Sequence, residues 1–139
     1  MFRRIPNVLT EDHARLLAST VGPRDLFEPA IRPLITSVLS VVSVGLNYPA
    51  YCVVEQKPEG HGWHTDRGNN GHMPWCRYSA SVLLTDPSSF TGGLFHTGLP
   101  GVEHATYHHY LDMLIYSSNV VHMVDPHEGD RRALLMFFA

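Results

Sequence analysis

From Ala50 to the end of the chain, apolar and β-branched residues come only in short runs, each closed by Gly, Pro, Asn or Asp. Ala50 to Gln56, Tyr78 to Leu84, Gly93 to Thr97, His104 to Tyr107, Met113 to Tyr116, Val120 to Met123 and Ala133 to Phe138 are the expected strands. Short runs rich in β-branched and aromatic side chains read as strands, and several in close succession point to a sandwich or barrel. No segment in this part has helical spacing. Ahead of it two helices are expected. Thr10 suits an N-cap before Glu11 and Asp12, whose charges fit the positive end of a helix running to about Ser19. Ala14, Leu16, Leu17 and Val21 supply its apolar stripe, and Gly22-Pro23 stops it. The second helix lies between Pro29 and about Val42, where Ile31, Leu34, Ile35, Val38, Leu39 and Val42 recur at helical spacing. Helices packed on one outer face of a β-barrel make an α+β domain that is mainly β.

The 139 residues suit a single domain, with a helical part over about 5–45 and a barrel over about 50–139. A net charge of -3, with Lys57 the sole lysine, supplies no field that would gather nucleic acid or an anionic membrane surface. The most apolar stretch, Leu34 to Leu46, is interrupted by hydroxyl residues and is shorter than the roughly 20 residues that span a bilayer. Cys52 and Cys76 follow no metal or redox spacing, and no apolar run follows Met1-Phe2-Arg3-Arg4, so a cytoplasmic location is expected.

Within the β-rich part, Trp63-His64-Thr65-Asp66-Arg67-Gly68 places a histidine and an aspartate two residues apart. In an extended strand these point to the same face, so an imidazole nitrogen and a carboxylate oxygen can meet one metal ion. His122, arriving on a later strand, would complete two histidines and one carboxylate. That set caps one face of a metal, leaves the opposite positions open, and is the ligand pattern of non-haem Fe(II) oxygenases. Further on, Arg131 and Arg132 adjoin each other. Strand side chains alternate, so only one of them can face a barrel interior.

The order helix, helix, strand, HxD, strand, Gly-Gly, then His122-Met123-Val124-Asp125-Pro126 followed by Gly129-Asp130-Arg131, resembles the iron(II)/2-oxoglutarate-dependent dioxygenases, in their prolyl 4-hydroxylase-like branch. "IPNVLTEDHARLL", "GWHTDRG", "RYSASVLLTDPSSFTGGLF" and "LDMLIYSSNVVHMVDPHEGDRRALLMFF" carry the resemblance over nearly the whole chain. Leu111-Asp112 and Ser117-Ser118 depart from the Gly-Asp and Pro-Ser that the family often has there. The resemblance implies a double-stranded β-helix, or jelly roll. It also implies Fe(II) on His64, Asp66 and His122, with 2-oxoglutarate and O2 as cosubstrates, and hydroxylation of an unactivated C–H bond with release of succinate and CO2. Halogenating relatives lack the carboxylate that Asp66 supplies. A 2-oxo diacid needs a cation for its far carboxylate, and a guanidinium suits it because it can make two parallel hydrogen bonds. Reading Gly129-Asp130-Arg131 as the family's GxR favours Arg131 and puts Ala133, Leu135 and Phe137 inside with it. Arg132 stays an alternative. Tyr78, Tyr116, Ser79 or Ser81 could add a hydroxyl contact.

His61, His72, His96, His104, His108, His109 and His127 are expected at the surface or in packing positions, with His96 the one that could face a substrate pocket. Trp63 and Trp75 read as packing groups, and Gly68 to Trp75 as a lid. The substrate expected is a small molecule or an amino-acid or peptidyl group, recognised by loops such as Arg67 to Arg77 and Phe95 to His104. Two alternatives stand beside this reading. One is a nucleobase demethylase, which would want a basic groove. The other is a cupin-like metal-binding barrel that uses no 2-oxoglutarate and so needs no guanidinium on its last strand.

Overall fold

The structure is a computed structural model that describes residues 1–42, 45–68, 72–98, 105–106 and 109–139. In chain order the elements are β1 (Phe2–Ile5), α1 (Glu11–Ala18), β2 (Gly22–Pro23), α2 (Arg32–Ser40), β3 (Tyr51–Glu55), β4 (His61–His64) and β5 (Tyr78–Leu83). There follow β6 (Phe90–Gly92), β7 (Phe95–Thr97), β8 (Ala105–Thr106), β9 (Met113–Ser117), β10 (His122–Val124), β11 (His127–Gly129) and β12 (Ala133–Phe138).

The strands form two facing antiparallel sheets and a small ribbon. The major sheet has the order β1-β9-β5-β12-β3-β2, the minor sheet β4-β10-β7-β8, and β11 pairs with β6. Two sheets of this kind, joined by strands that alternate between them, make a jelly roll. The strands expected from sequence are present. Of the run His104 to Tyr107 only Ala105–Thr106 falls among the described residues. β1, β2, β6 and β11 lie outside the expected set. Each is too short, or too rich in Gly, Pro and charge, to show an alternating pattern before its partner is known.

The major sheet has two apolar faces with different uses. On β12, Leu134, Met136 and Phe138 point to the helices, as do Cys52 and Val54 on β3, Ala80 and Val82 on β5, and Met113 and Ile115 on β9. All of these are buried with Ala14, Leu17 and Ala18 of α1 and with Leu34, Ile35 and Val38 of α2. Burying one such aliphatic side chain stabilises the fold by roughly 1.5–3 kcal/mol. The helices therefore hold the sheet from outside and leave its inner face to the cavity.

Both helices differ slightly from expectation. Thr10 does cap α1, its hydroxyl accepting from the His13 N–H at 3.2 Å. The helix ends at Ala18, however, and Gly22, at φ +116°, turns the chain into β2, so Leu16 and Val21 are exposed while Ala18 takes a place in the core. α2 starts at Arg32, with Pro33 in its first turn, where a missing N–H costs nothing. Among the described residues, no helix is long and apolar enough to cross a membrane.

Candidate functional site

The two sheets enclose a cavity of about 430 Å³. Its major-sheet wall is the inner face of β3 and β12, where Tyr51 stands opposite Phe137, Val53 opposite Leu135, and Glu55 opposite Ala133. The inward placement of Ala133, Leu135 and Phe137 follows from strand alternation alone. Phe95 of β7 and Val124 of β10 border it from the minor sheet.

His64, Asp66 and His122 converge on this cavity, with one ligand atom from each lying within 4.8 Å of the others. β4 and β10 pair directly at His64 and His122, which brings the two imidazoles together, tilted by 54°, with ring centroids 4.3 Å apart. Asp66 reaches them differently from the sequence expectation. β4 stops at His64, so Asp66 is not on the same strand face but in the bend that follows, tied down where the Arg67 N–H donates to the Ser118 carbonyl at 3.1 Å. The convergence is retained because the bend folds the carboxylate back over the end of its own strand.

The protonation pattern is set from outside the cluster. Nδ1 of His64 faces the Gly62 carbonyl at 2.6 Å, and Nδ1 of His122 faces the Val120 carbonyl at 2.9 Å. A carbonyl only accepts, so each Nδ1 carries a proton and each Nε2 is the nitrogen presented to the cavity. Both Nε2 atoms lie near Asp66 Oδ1, at 3.3 and 3.4 Å. Ligands cis to one another at about 2.1 Å from a metal stand about 3 Å apart, so this spacing suits a shared ion. Asp66 Oδ2 is buried without a hydrogen-bond partner among the described residues. An orphaned buried carboxylate oxygen beside two outward-aimed Nε2 atoms is a donor set awaiting a cation, and it fits ferrous iron. In the metal-free protein an Nε2 that takes up a proton donates it to Asp66; burial works to raise the Asp66 carboxyl, but these hydrogen bonds from His122 and His64 outweigh it and hold the group well below the usual carboxylate range. The hydrogen bond to Asp66 raises His64.

The two arginines go opposite ways. Arg131 is buried and borders the cavity. Its stem crosses Gly93, where a Cβ would lie 2.4 Å from Arg131 Cδ. Burial lowers its pKa, while the Glu55 carboxylate acts in the opposite sense. Arg132 turns outward, donating through Nε to Asp130 Oδ1 at 2.9 Å and through a terminal nitrogen to the Ala18 carbonyl at the end of α1, at 2.5 Å.

Of the expected hydroxyl partners, Tyr78 is not in the cavity. Alternation along β5 puts it with Ala80 and Val82 on the helix side and leaves Ser79 and Ser81 facing inward. Tyr116 is fully inside, but it lies level with Phe137, at the far end of β12 from Arg131. Its hydroxyl meets the metal-type cluster, 3.4 Å from His122 Nε2 and in hydrogen-bonding contact with Asp66. Burial, then the Asp66 charge, raises its pKa far above that of free tyrosine. Ser79 also hydrogen-bonds Asp66.

The other histidines take varied places. His61, half-buried, and His72, exposed, both border the cavity. His61 does so because β4 and β10 pair irregularly between His122↔His64 and Val124↔His61, and this bulge turns both His61 and His64 inward. His96 faces away, since Phe95 and Thr97 hold the inward positions of β7, and its Nε2 pairs with Asp125 Oδ2 at 2.8 Å. Trp63 and Trp75 are exposed rather than packed. Of the expected lid, His72 and Met73 border the cavity, while residues 69–71 lie outside the described residues, as do His104 and His108. Glu55 was not anticipated at all, although its place two residues after Val53 and four after Tyr51 aligns it with the inward face of β3.

An antiparallel jelly roll with two histidines and one carboxylate facing its cavity defines a class of protein by fold and donor set. Solved structures share the fold. A prolyl-4-hydroxylase from Pseudomonas putida superposes with a TM-score of 0.71 at 22% identity, over 99% of this chain and 84% of that one. A prolyl hydroxylase from Trichoplax adhaerens, solved with a peptide fragment of the hypoxia inducible factor oxygen degradation domain, gives 0.68 at 15% identity, over 99% and 83%. An oxidoreductase of the 2OG-Fe(II) oxygenase family from Burkholderia pseudomallei gives 0.57 at 18% identity, over 82% of this chain and 54% of that one. No protein-family model matches the sequence, and no curated protein is significantly similar to it. The chain thus has the jelly-roll fold of these 2-oxoglutarate and iron oxygenases.

Proposed function

We propose that this chain is an Fe(II)- and 2-oxoglutarate-dependent dioxygenase that hydroxylates an unactivated C–H bond of an amino-acid residue or small metabolite. The observation that carries this reading is the His64, Asp66 and His122 cluster, with Asp66 Oδ2 buried and unsatisfied, opening on the same cavity as the buried guanidinium of Arg131. Bound iron would supply the activation of O2, coupled to decarboxylation of 2-oxoglutarate to succinate and CO2.

The protein's own residues have four tasks in such a reaction. His64 and His122, each held by a backbone carbonyl through Nδ1, keep Nε2 bare and oriented for the metal. Asp66 gives the third donor, and the hydroxyls of Tyr116 and Ser79 keep it in place. Arg131 would receive the far carboxylate of 2-oxoglutarate, for which a guanidinium is suited, and Gly93 leaves room for its stem. Phe95, Leu135 and Phe137 make the walls apolar, which excludes water from the reacting centre.

The experiment is an anaerobic titration with Fe(II) followed by 2-oxoglutarate, read by the weak visible charge-transfer band of a 2-oxo acid chelated to ferrous iron. The band should develop in the wild type and be absent from His122→Ala. Iron binding with no band would refute the oxygenase reading and put the cupin-like barrel in its place.

A further inference from the structure

The cavity holds an acid for which the proposed reaction has no task. Glu55 closes β3 on its inward face, in line with Val53 and across from Ala133. Its Oε1 is 2.6 Å from His61 Nε2, and His61 Nδ1 is 3.3 Å from Lys57 Nζ. An ammonium only donates, so Nδ1 accepts from Lys57 and the ring proton sits on Nε2, which donates to Glu55. The chain of bonds thus holds a carboxylate at the cavity wall in one orientation. Among the described residues, Glu55 makes no hydrogen bond other than this one.

The surroundings say what such a group would receive. Under the oxygenase reading, on which this inference rests, the iron, Asp66, Arg131 and a bound 2-oxo diacid balance one another in charge. Glu55 also faces the cavity, where its charge acts on the Arg131 guanidinium that the diacid would occupy, and Lys57 reaches it only through the His61 ring. The neighbouring wall is apolar and aromatic, with Val53, Leu135 and the stacked pair Tyr51 and Phe137. A carboxylate among such groups favours a partner that brings both positive charge and N–H donors. The place is also close to the reacting centre, since the His61 and His64 rings are 5.5 Å apart. We infer that Glu55, oriented by His61, determines specificity for a substrate carrying a primary or secondary ammonium group, held there while its C–H bond faces the His64, Asp66 and His122 cluster.

A purely structural role is the competing explanation, because the same bond ties β3 of one sheet to β4 of the other. Glu55→Gln separates the two, since the amide oxygen can still accept from His61 Nε2 while the charge is gone. Binding is read by ligand-observed NMR on metal-free protein, using L-lysine, L-ornithine and cyclohexylamine, each paired with its N-acetylated form. A capped peptide with an internal lysine distinguishes a peptidyl amine from a free one. The amines should bind about tenfold or more tightly than their acetylated partners, and Glu55→Gln should bring that ratio close to one. The melting temperature and the iron and 2-oxoglutarate band should not change in the variant. Equal binding within each pair, no binding of any amine, or a preference that survives Glu55→Gln overturns the inference. An amine preference without the band refutes the oxygenase reading alone. The band without an amine preference refutes this subsite alone.

Discussion

Gly93→Ala asks how Arg131 comes to face the cavity. Gly93 has φ +68°, and a Cβ built there would stand 2.4 Å from Cδ and 2.6 Å from Nε of Arg131. Alanine therefore costs twice, once for a left-handed backbone that only glycine adopts freely and once for pushing the arginine stem aside. Strain of this kind amounts to about 1–3 kcal/mol. The unfolding entropy, roughly 2.1 cal/mol/K per residue, comes to about 0.3 kcal/mol/K for 139 residues, so the melting temperature should drop by about 3–10 °C. Gly45→Ala is the control, because no atom lies within 4 Å of a Cβ there and its φ is not positive. The displaced guanidinium should also raise the 2-oxoglutarate concentration that half-develops the charge-transfer band, by about tenfold or more, since a hydrogen bond to a charged group is worth about 1.5–3 kcal/mol. Iron binding should be unaffected. A variant that melts and titrates like the wild type would refute the claim that Gly93 makes room for Arg131. Lower stability with an unchanged 2-oxoglutarate requirement would refute Arg131 as the carboxylate anchor.

Three more expectations are open to direct measurement. Arg131→Ala should raise the 2-oxoglutarate requirement as Gly93→Ala does, while Arg132→Ala should leave it unchanged and cost about 0.5–1.5 kcal/mol per lost hydrogen bond at Asp130 and the end of α1; the reverse pattern would make Arg132 the anchor and refute the role given to Arg131. Asp66→Ala should abolish stoichiometric Fe(II) uptake in equilibrium dialysis while the far-ultraviolet circular dichroism persists, and undiminished uptake would remove it from the metal site. His127 is buried, and burial, aided by Arg131, holds its pKa below the usual histidine value. The folded protein then refuses a proton that the unfolded chain takes up, so stability should fall as pH drops below about 6.5. His127→Phe should flatten that decline in chemical denaturation at pH 5 to 7, and parallel curves would refute the assignment.

The sequence was most informative where chemistry and spacing repeat over long distances. His64, Asp66 and His122 could be named because metal ligands are a scarce set of residue types, and the inward face of β12 could be named because alternation needs only one fixed point. The local geometry was less accessible. Asp66 was placed on a strand that in fact ends at His64, and the bulge that turns His61 inward depends on how β4 pairs with β10, which no single-strand pattern encodes. The side taken by Tyr78 was not legible because β5 is buried on both faces, so its pattern does not say which side the tyrosine takes. Glu55 was missed for a related reason: one charged residue at the end of a strand reads as a solvent boundary, and only the facing sheet makes it a wall.

β12 is flanked by β3 on one side and β5 on the other, and Arg131 stands two residues before its start. The arm that reaches into the cavity is thus continuous with the strand whose amides are enclosed from both edges. In hydrogen exchange, the amides of Leu134 to Phe138 should report only the rarest, whole-domain openings of the chain. A carboxylate gripped by Arg131 would restrain the start of that strand and slow those openings, so site occupancy could be followed by the exchange clock of the strand that walls the cavity.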